Sequence, residues 1–94
     1  MSSEFFRNKP QETNPKPGEL VVIYFDDKNK LCMSIAGKPK ESRKLTDGEV
    51  RKIKLNDIEH NFKIENNTAW IKNPNDDQWK RLRSSGGVSY VDFI

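Results

Sequence analysis

The sequence has few of the side chains that catalysis and metal binding require, with one cysteine, Cys32, and one histidine, His60, in 94 residues. A single cysteine forms no intrachain disulfide, and one His with one Cys cannot make an ordinary metal site without carboxylates or a second chain. Cys32 lies in an apolar segment, where a thiol usually behaves as an inert small hydrophobe. His60 lies in a polar stretch typical of a surface loop. The sequence therefore predicts no catalytic, metal-binding or cofactor-binding residue, and a protein that is not an enzyme.

Two other signals of ligand chemistry are also missing. The acidic pairs Asp26-Asp27 and Asp76-Asp77 lack the alternating carboxylate spacing of a calcium loop, and adjacent Asp residues are common in turns. The pair Gly86-Gly87 lacks the Lys-Ser/Thr that makes a phosphate-binding loop specific. We interpret all three pairs as turn or joint residues.

Apolar residues are scarce, at 33% of the chain, and the longest apolar run covers only residues 20–25. That run is far too short to cross a membrane, and we expect neither a signal peptide nor a membrane partner. A chain of this composition forms a single domain with a thin core. We therefore expect its stability to depend on oligomerisation or on docking to a partner, in the cytoplasm or in a particle assembled there.

Charge of one sign is not in large excess, since 17 basic and 14 acidic residues leave a net charge of +3. Three basic clusters stand out, at 38–44, 51–54 and 80–83, and the third follows Trp79. On a small β-barrel, such clusters with exposed aromatic residues can bind single-stranded nucleic acid. The ordinary alternative is a solvated sheet face whose lysines prevent edge-to-edge pairing. The residues that would contact nucleic acid are Trp70, Trp79, Lys80, Arg81 and Arg83.

Residues 1–18 differ in character from the rest of the chain and are interpreted as an N-terminal arm. Proline fixes φ and disfavours helix at the preceding residue, so we expect this segment to be extended and to have no core of its own. Phe5 and Phe6 are its natural anchors for docking. The predicted interface residues, from the arm and the C-terminal end, are Phe5, Phe6, Pro10, Pro15, Pro17, Tyr90, Phe93 and Ile94.

Residues 19–94 carry the pattern of a small β domain. Runs rich in β-branched and aromatic residues, separated by turn formers, predict strands. Because the run at 19–25 is apolar on both faces, we expect it to be a central strand. Together with its turns, the pattern predicts a small antiparallel sandwich or open barrel. The predicted strands lie at 19–25, 31–36, 62–65, 68–72, 78–83 and 88–94.

The segment 46–60 is compatible with two structures. Thr46 and Glu49 have the spacing of a helix capping box, which would begin one short helix. Asp47-Gly48 is also a hairpin turn signal, and residues 50–55 partly alternate. The pattern favours a hairpin, because Gly48 in a first helical turn and two β-branched residues weaken the helix.

One hairpin resembles those common in bacteriophage virion proteins, namely fibre-attachment segments, head fibres and capsid decoration proteins. Residues 18–39 read GELVVIYFDDKNKLCMSIAGKP. They contain a strand ending in Tyr24, an Asp-rich turn at 26–27, a second strand beginning Lys30-Leu31, and Gly37. In that group a Pro-rich segment before the hairpin often serves as the docking arm, and residues 5–18 are similar in character.

The resemblance covers roughly residues 5–45, and residues 50–94 match no family pattern. It implies a structural component of a virion that docks on other subunits through its arm, in the capsid or the tail, as a homo-oligomer or with capsid and tail proteins. The predicted function is accordingly a non-enzymatic structural or binding component of an assembly. The alternatives are a small nucleic-acid-binding β-barrel and a phage-encoded inhibitor of a host protein.

Overall fold

The computed structural model describes residues 11–83 and 85–94, and these form nine strands and one short 3-10 turn at Ser85–Gly87. The strands are β1 (Gln11–Thr13), β2 (Leu20–Phe25), β3 (Leu31–Ile35), β4 (Lys38–Arg43), β5 (Arg51–Leu55), β6 (Ile58–Glu65), β7 (Thr68–Lys72), β8 (Lys80–Arg81) and β9 (Val88–Phe93). They make one sheet in the order β1-β4-β3-β2-β9-β5-β6-β7-β8. All pairs are antiparallel except β1–β4, which is parallel. The predicted mainly β fold is confirmed.

The sheet consists of two three-stranded meanders on either side of the last strand. Strands β2–β3–β4 form one meander and β5–β6–β7 the other, and β9 pairs with β2 and with β5 between them. The final strand therefore lies in the middle of the sheet. Its main-chain groups are used within the molecule, so it is not a free strand that could extend the sheet of a neighbour.

The second meander owes its tight turns to residues that tolerate positive φ. Asn56 and Asp57 join β5 to β6 at φ 54° and 64°, and Asn66 and Asn67 join β6 to β7 at 53° and 58°. Two central residues with positive φ define the type I′ turn, whose twist matches that of the strands it connects. Asparagine and aspartate reach this region at low cost because their short side chains bond locally.

The sheet curls so that its two meanders touch. Asn67, in the β6–β7 turn, accepts a hydrogen bond from the Leu31 N–H through Oδ1 at 2.7 Å. Its Nδ2 donates to the carbonyl of Asn29 at 2.8 Å. Since Asn29 and Leu31 belong to the β2–β3 hairpin, one side chain joins strands that are far apart in the sheet order. The result is an open barrel whose free edges are β1 and β8.

Two connecting segments contribute to the core and tie strands together. Residues 14–19 link β1 to β2, and Pro15 in this segment is buried. Residues 44–50 link β4 to β5, place Leu45 in the core at 6% exposure, and donate the Gly48 N–H to the Ile64 carbonyl at 2.8 Å. These contacts add core residues that the strands of so polar a chain do not supply.

The core is small and lies on the inner, concave side of the sheet. Phe62 and Phe93 are its largest members, with ring centroids 5.6 Å apart and nearly perpendicular planes. Edge-to-face packing of this kind adds to the stabilisation that burial of the rings provides. The buried apolar residues are Val21, Ile23, Met33, Leu45, Ile53, Phe62, Ala69, Val91 and Phe93.

The structure decides between the two predictions for residues 46–60. The segment contains the β5–β6 hairpin and, among the described residues, no helix, so the helical alternative is wrong. The hairpin turn is at Asn56-Asp57, whereas Gly48, at φ 85°, forms a turn before β5. One of the two hydrogen bonds of a capping box is formed there, since the Thr46 N–H donates to Glu49 Oε1 at 3.3 Å.

The sequence-based prediction did not include strands β1 and β4. The strand predicted at 78–83 covers only Lys80–Arg81 in the structure. Residues 11–18, assigned to the arm, are joined to the domain. The Thr13 carbonyl accepts the Lys44 N–H at 2.9 Å, and the Gly18 N–H donates to the Phe93 carbonyl at 2.7 Å. The described part of the predicted arm, residues 11–18, is therefore part of the domain and not a separate extended unit.

Candidate binding surface

The outer, convex face of the sheet carries an apolar strip across its two central strands. Because side chains alternate along a strand, burial of Val21, Ile23 and Val91 sends the residues between them outward. The register places Val22 opposite Tyr90 and Tyr24 opposite Val88. The outward residues also include Asp92, opposite Leu20. We call the apolar members of the set the apolar strip, and they are Leu20, Val22, Tyr24, Val88 and Tyr90.

The apolar strip is open to solvent. Tyr90 is 56% exposed, Leu20 41% and Val88 37%, while Val22 and Tyr24 are half-buried. Scattered single apolar residues are normal on protein surfaces, whereas contiguous apolar patches mark interaction sites. Five adjoining apolar side chains on neighbouring strands belong to the second kind.

A basic half lies beside the apolar strip on the same outer face, on strands β5 to β8. The register aligns Lys63, Trp70 and Arg81 in one row across three strands. A neighbouring row contains Lys52, Asn61 and Lys72. The outward charged residues of this region, which we call the basic half, are Lys52, Lys54, Lys63, Lys72 and Arg81, with Glu59 and Glu65 among them.

Two lysines of the basic half pack against Trp79. The Nζ of Lys63 lies 4.5 Å from the ring centroid and that of Lys72 lies 5.6 Å from it. A cation over an indole face is attracted by the ring quadrupole. Lys63 is also paired with Glu65, with Nζ and Oε1 3.0 Å apart. These contacts fix the lysines, and they occupy aromatic surface that a nucleobase would need for stacking.

The structure brings together only some of the residues predicted to contact nucleic acid. Trp70 and Arg81 are cross-strand neighbours, and Trp79 joins them through the two lysines above. Lys80 instead pairs with Asp76 at 3.8 Å, and Arg83 is exposed beyond β8. The sequence-based prediction omitted Lys63 and Lys72, although strict alternation along the predicted hairpin would have placed both on the face of Trp70.

The predicted interface residues fall into three groups. Phe5, Phe6 and Pro10 lie outside the described residues. Pro15 and Phe93 are buried within the domain, and the Pro15 carbonyl accepts a hydrogen bond from Arg51 at 2.8 Å, so we assign both residues to the core. Pro17, Tyr90 and Ile94 are exposed.

Cys32 lies on the outer face next to the apolar strip, opposite Tyr24 in the register. Its Sγ is 3.8 Å from Asp26 Oδ2 and 3.4 Å from the Lys30 carbonyl. Burial, together with the Asp26 carboxylate, raises the pKa of the Cys32 thiol. A nucleophilic cysteine needs the opposite environment, one that lowers the thiol pKa.

The other reactive groups are dispersed. The His60 Nδ1 lies 2.9 Å from the Ile58 carbonyl, a local contact at the start of β6. Across residues 11–83 and 85–94, no three His, Cys, Asp or Glu residues are grouped so that they could hold a metal ion.

A cleft of about 320 Å³ opens between the β2–β3 hairpin, the β6–β7 turn and the start of β9. Apolar residues, including Ile23, Leu31 and Leu82, meet the amide side chains of Asn66 and Asn67 there. Among the described residues that line it, none is a histidine, a cysteine or a carboxylate.

Comparison with known proteins adds no relative, since no family model, curated protein or solved structure matches this chain. In the described parts of the chain, no helix is long and apolar enough to span a membrane.

Proposed function

We propose that this protein is a non-enzymatic binding component of a larger assembly and that it contacts a protein partner through the apolar strip. The class of assembly suggested by the hairpin at 18–39 is a bacteriophage virion, in which the chain would serve as a capsid decoration, head-fibre or tail component. The observation that supports the proposal is the exposed strip itself, which lies on the paired central strands β2 and β9 and not on a loop.

The position of the strip is what favours a protein partner. Strands β2 and β9 lie in the middle of the sheet, so the outward side chains are held on a rigid scaffold. Aromatic residues at the centre of a protein interface often supply most of the binding energy, because they are fully desolvated there. Tyr24 and Tyr90 are in that position.

The proposal is tested with Tyr90→Lys, which places a charge in the strip without touching the core. The matched control is Ile58→Lys, since Ile58 is 55% exposed and Tyr90 56%, but Ile58 lies on β6 away from the strip. In gradient sedimentation of material from the protein's own source, we expect the wild type and Ile58→Lys to move with a large assembly. Tyr90→Lys should remain in the slow fraction, and its cosedimentation with the assembly would contradict the proposal.

The basic half indicates which partner surface would suit the strip. Rows of lysine and arginine beside an apolar centre complement a surface with an apolar centre and an acidic flank. Rim charges of this kind act mainly on association rate and on salt dependence. We therefore expect Lys54→Glu to slow association at low salt, while Tyr90→Lys abolishes binding at any salt concentration.

Nucleic-acid binding is the second candidate, and the aligned row Lys63, Trp70 and Arg81 favours it. Phosphate contacts from such a row would give affinity for single strands that falls steeply as salt rises. Trp70→Ala with Arg81→Ala should then weaken binding of a fluorescent oligonucleotide at least tenfold at low salt, whereas Tyr90→Lys should not. Absence of binding by the wild type at low salt would remove this candidate.

A further inference from the structure

The cleft between the β2–β3 hairpin and the β6–β7 turn lies at one mouth of the open barrel, on the concave side of the sheet. Ile23 and Ala69, which are 4% and 6% exposed, border both the core and the cleft. The apolar strip faces the convex side. Tyr24 borders both surfaces, but alternation along β2 sends its side chain to the convex side. Small-molecule sites are often found in the mouths of β-barrels.

Hydrogen bonds within the chain hold the walls of the cleft in place. Asn67 joins the β6–β7 turn to the β2–β3 hairpin at 2.7 and 2.8 Å. Asp26 Oδ1 accepts two N–H groups of the β2–β3 turn, at 2.9 and 2.8 Å. The Leu82 N–H donates to the Ala69 carbonyl at 2.9 Å. A site whose walls are already fixed needs little ordering when a ligand enters, which favours binding.

The inner surface of the cleft is largely apolar. Phe25 and Leu31 are opposite each other in the register, and Leu82 adds a further aliphatic side chain to the lining. Phe25 remains 47% exposed although Ile23, on the same face of β2, is buried. A ligand with an apolar body would cover the exposed ring, and removal of apolar surface from water favours binding.

Arg81 is the only charged side chain among the described residues that line the cleft. It belongs both to the basic half and to the rim of the cleft, because it lies on the edge strand β8, beyond which the sheet has no further strand. No described carboxylate forms an ion pair with it. A guanidinium binds a carboxylate through two parallel hydrogen bonds. The rim is therefore complementary to an anionic group on an apolar ligand.

The volume of the cleft limits the ligand to a compact molecule. The cleft measures about 320 Å³, near the lower end of the range of about 300–1,000 Å³ that is usual for ligand sites. An apolar cavity of about 150 Å³ holds benzene. The cleft therefore has room for a body of about two fused rings with one small polar group.

We propose that the cleft binds a small organic anion made of an apolar body of one or two rings and a single carboxylate. The body packs against Phe25, Leu31 and Leu82, and the carboxylate accepts hydrogen bonds from the Arg81 guanidinium. This site goes beyond the proposed function and does not depend on it, since the apolar strip lies on the other face of the sheet.

The site is tested by NMR titration of the full-length chain with 2-naphthoate and with 2-naphthalenemethanol, which has the same rings and no charge. We expect saturable shifts of the amide signals of Leu31, Ala69 and Gly87. At low salt, 2-naphthoate should bind at least about tenfold more tightly than the alcohol, because a charge-assisted hydrogen bond is added. Equal affinities for the two probes, or no saturable shift with 2-naphthoate, would overturn the proposal.

Two substitutions separate the charged part of the site from the apolar part. Arg81→Gln should lower the affinity for 2-naphthoate to that for the alcohol and leave alcohol binding unchanged. Phe25→Ala should weaken both probes by a similar factor, because it removes ring contact and keeps the cation. Both side chains are exposed, so the fold should tolerate either change. If Arg81→Gln binds 2-naphthoate like the wild type, the assignment is wrong.

Lys80→Gln is the matched control for the charge. Lys80 is the adjacent cation on the same strand, but it does not line the cleft and lies 3.8 Å from Asp76. We expect Lys80→Gln to bind 2-naphthoate with the affinity of the wild type. A loss as large as that in Arg81→Gln would indicate general attraction to the basic edge and would count against a built site.

Tyr90→Lys separates this site from the proposed function. Tyr90 is in the strip and does not line the cleft, so this variant should bind 2-naphthoate normally whatever its behaviour in sedimentation. If it loses the probe, 2-naphthoate binds the strip and the proposal for the cleft is wrong. If it cosediments with the assembly while the cleft signals still respond to 2-naphthoate, only the proposed function fails.

Discussion

At the scale of single residues, the most specific electrostatic contact joins Glu19 to Arg43. The Arg43 guanidinium donates from Nε and Nη2 to the two carboxylate oxygens at 2.8 and 2.7 Å. The Glu19 side chain is only 18% exposed and the Arg43 side chain only 8%, so solvent screens the pair weakly. The pair ties the residue before β2 to the end of β4, two elements that are not neighbours in the sheet order.

Glu19 should make the stability of the domain depend on pH in the acid range. The hydrogen bonds from Arg43, with a further one from the Lys16 N–H, lower the pKa of Glu19 from 4.5 to about 2. A lowered carboxyl pKa stabilises the folded state fully above the unfolded value, and this contribution is lost as pH falls from about 4.5 towards 2. We expect it to be on the order of 2–3 kcal/mol.

Urea denaturation at several pH values between 2 and 7 measures this effect. The wild type should lose stability below about pH 4.5 more steeply than Glu19→Gln, in which no carboxyl titrates at this position. Asp27→Asn, at an exposed turn residue without such a pair, serves as the control and should follow the wild type. Parallel curves for the wild type and Glu19→Gln would show that the pair contributes little.

Residue-level predictions from the sequence succeeded where side-chain chemistry alone decides, as in the turn residues Asn66 and Asn67. They did not succeed where burial decides. Phe93 and Pro15 were placed in an interface because they are apolar and lie near the chain ends, but both are core residues. Nothing in the local pattern shows that the chain returns to cover them.

At the scale of elements, the two tight turns of the second meander provide a matched comparison. Asn67 and Asp57 occupy the second position of equivalent turns, at φ 58° and 64°. Only Asn67 also bridges to the other hairpin, through its bonds to Leu31 and Asn29. The turn itself accepts glycine at either position because glycine adopts positive φ readily.

We therefore expect Asn67→Gly to lower the free energy of unfolding by about 1–2 kcal/mol, which corresponds to two hydrogen bonds of ordinary strength. Asp57→Gly should be neutral or slightly stabilising, since it keeps the turn and removes no bridge. Urea midpoints for the two variants test this difference. Equal midpoints would mean that the bridge between the meanders adds no stability.

Elements were predicted well when alternation and turn residues agreed, as in β7, whose predicted bounds 68–72 match the strand. Strand β4 was missed because Lys38–Arg43 is polar throughout and contains a proline, so it shows no alternation. Its pairing with β3 comes from the neighbouring hairpin and not from its own side chains. Strand β1 pairs over three residues only, which leaves no pattern to detect.

At the scale of the whole molecule, residues 11–18 belong to the sheet domain, so the domain does not begin at residue 19. Strand β1, the buried Pro15 and the Gly18 N–H all attach residues 11–18 to the sheet. A chain that begins at Gln11 keeps these contacts, whereas a chain that begins at Glu19 loses all of them. The two truncations therefore separate the arm from the domain.

We expect the chain beginning at Gln11 to unfold within about 1 kcal/mol of the wild type, because it keeps the contacts that residues 11–18 make with the sheet. The chain beginning at Glu19 should be destabilised by several kcal/mol, since it loses a buried residue, a strand pair and several hydrogen bonds. Thermal and urea unfolding of both chains test this prediction. Equal stability of the two truncated chains would mean that residues 11–18 contribute nothing to the stability of the domain.

Local structure could be read from the residues alone: apolar alternation predicted short strands, and asparagine, aspartate and glycine predicted turns. The scarcity of groups for catalysis is also visible in the composition. The sequence also showed that β2 is apolar on both sides. Which side is covered depends on the folded sheet, in which β9 lies between β2 and β5 and the two meanders meet at Asn67. A strand's period of two residues separates its faces but does not say which face the rest of the chain will reach. For that physical reason the apolar strip became visible only in the folded molecule.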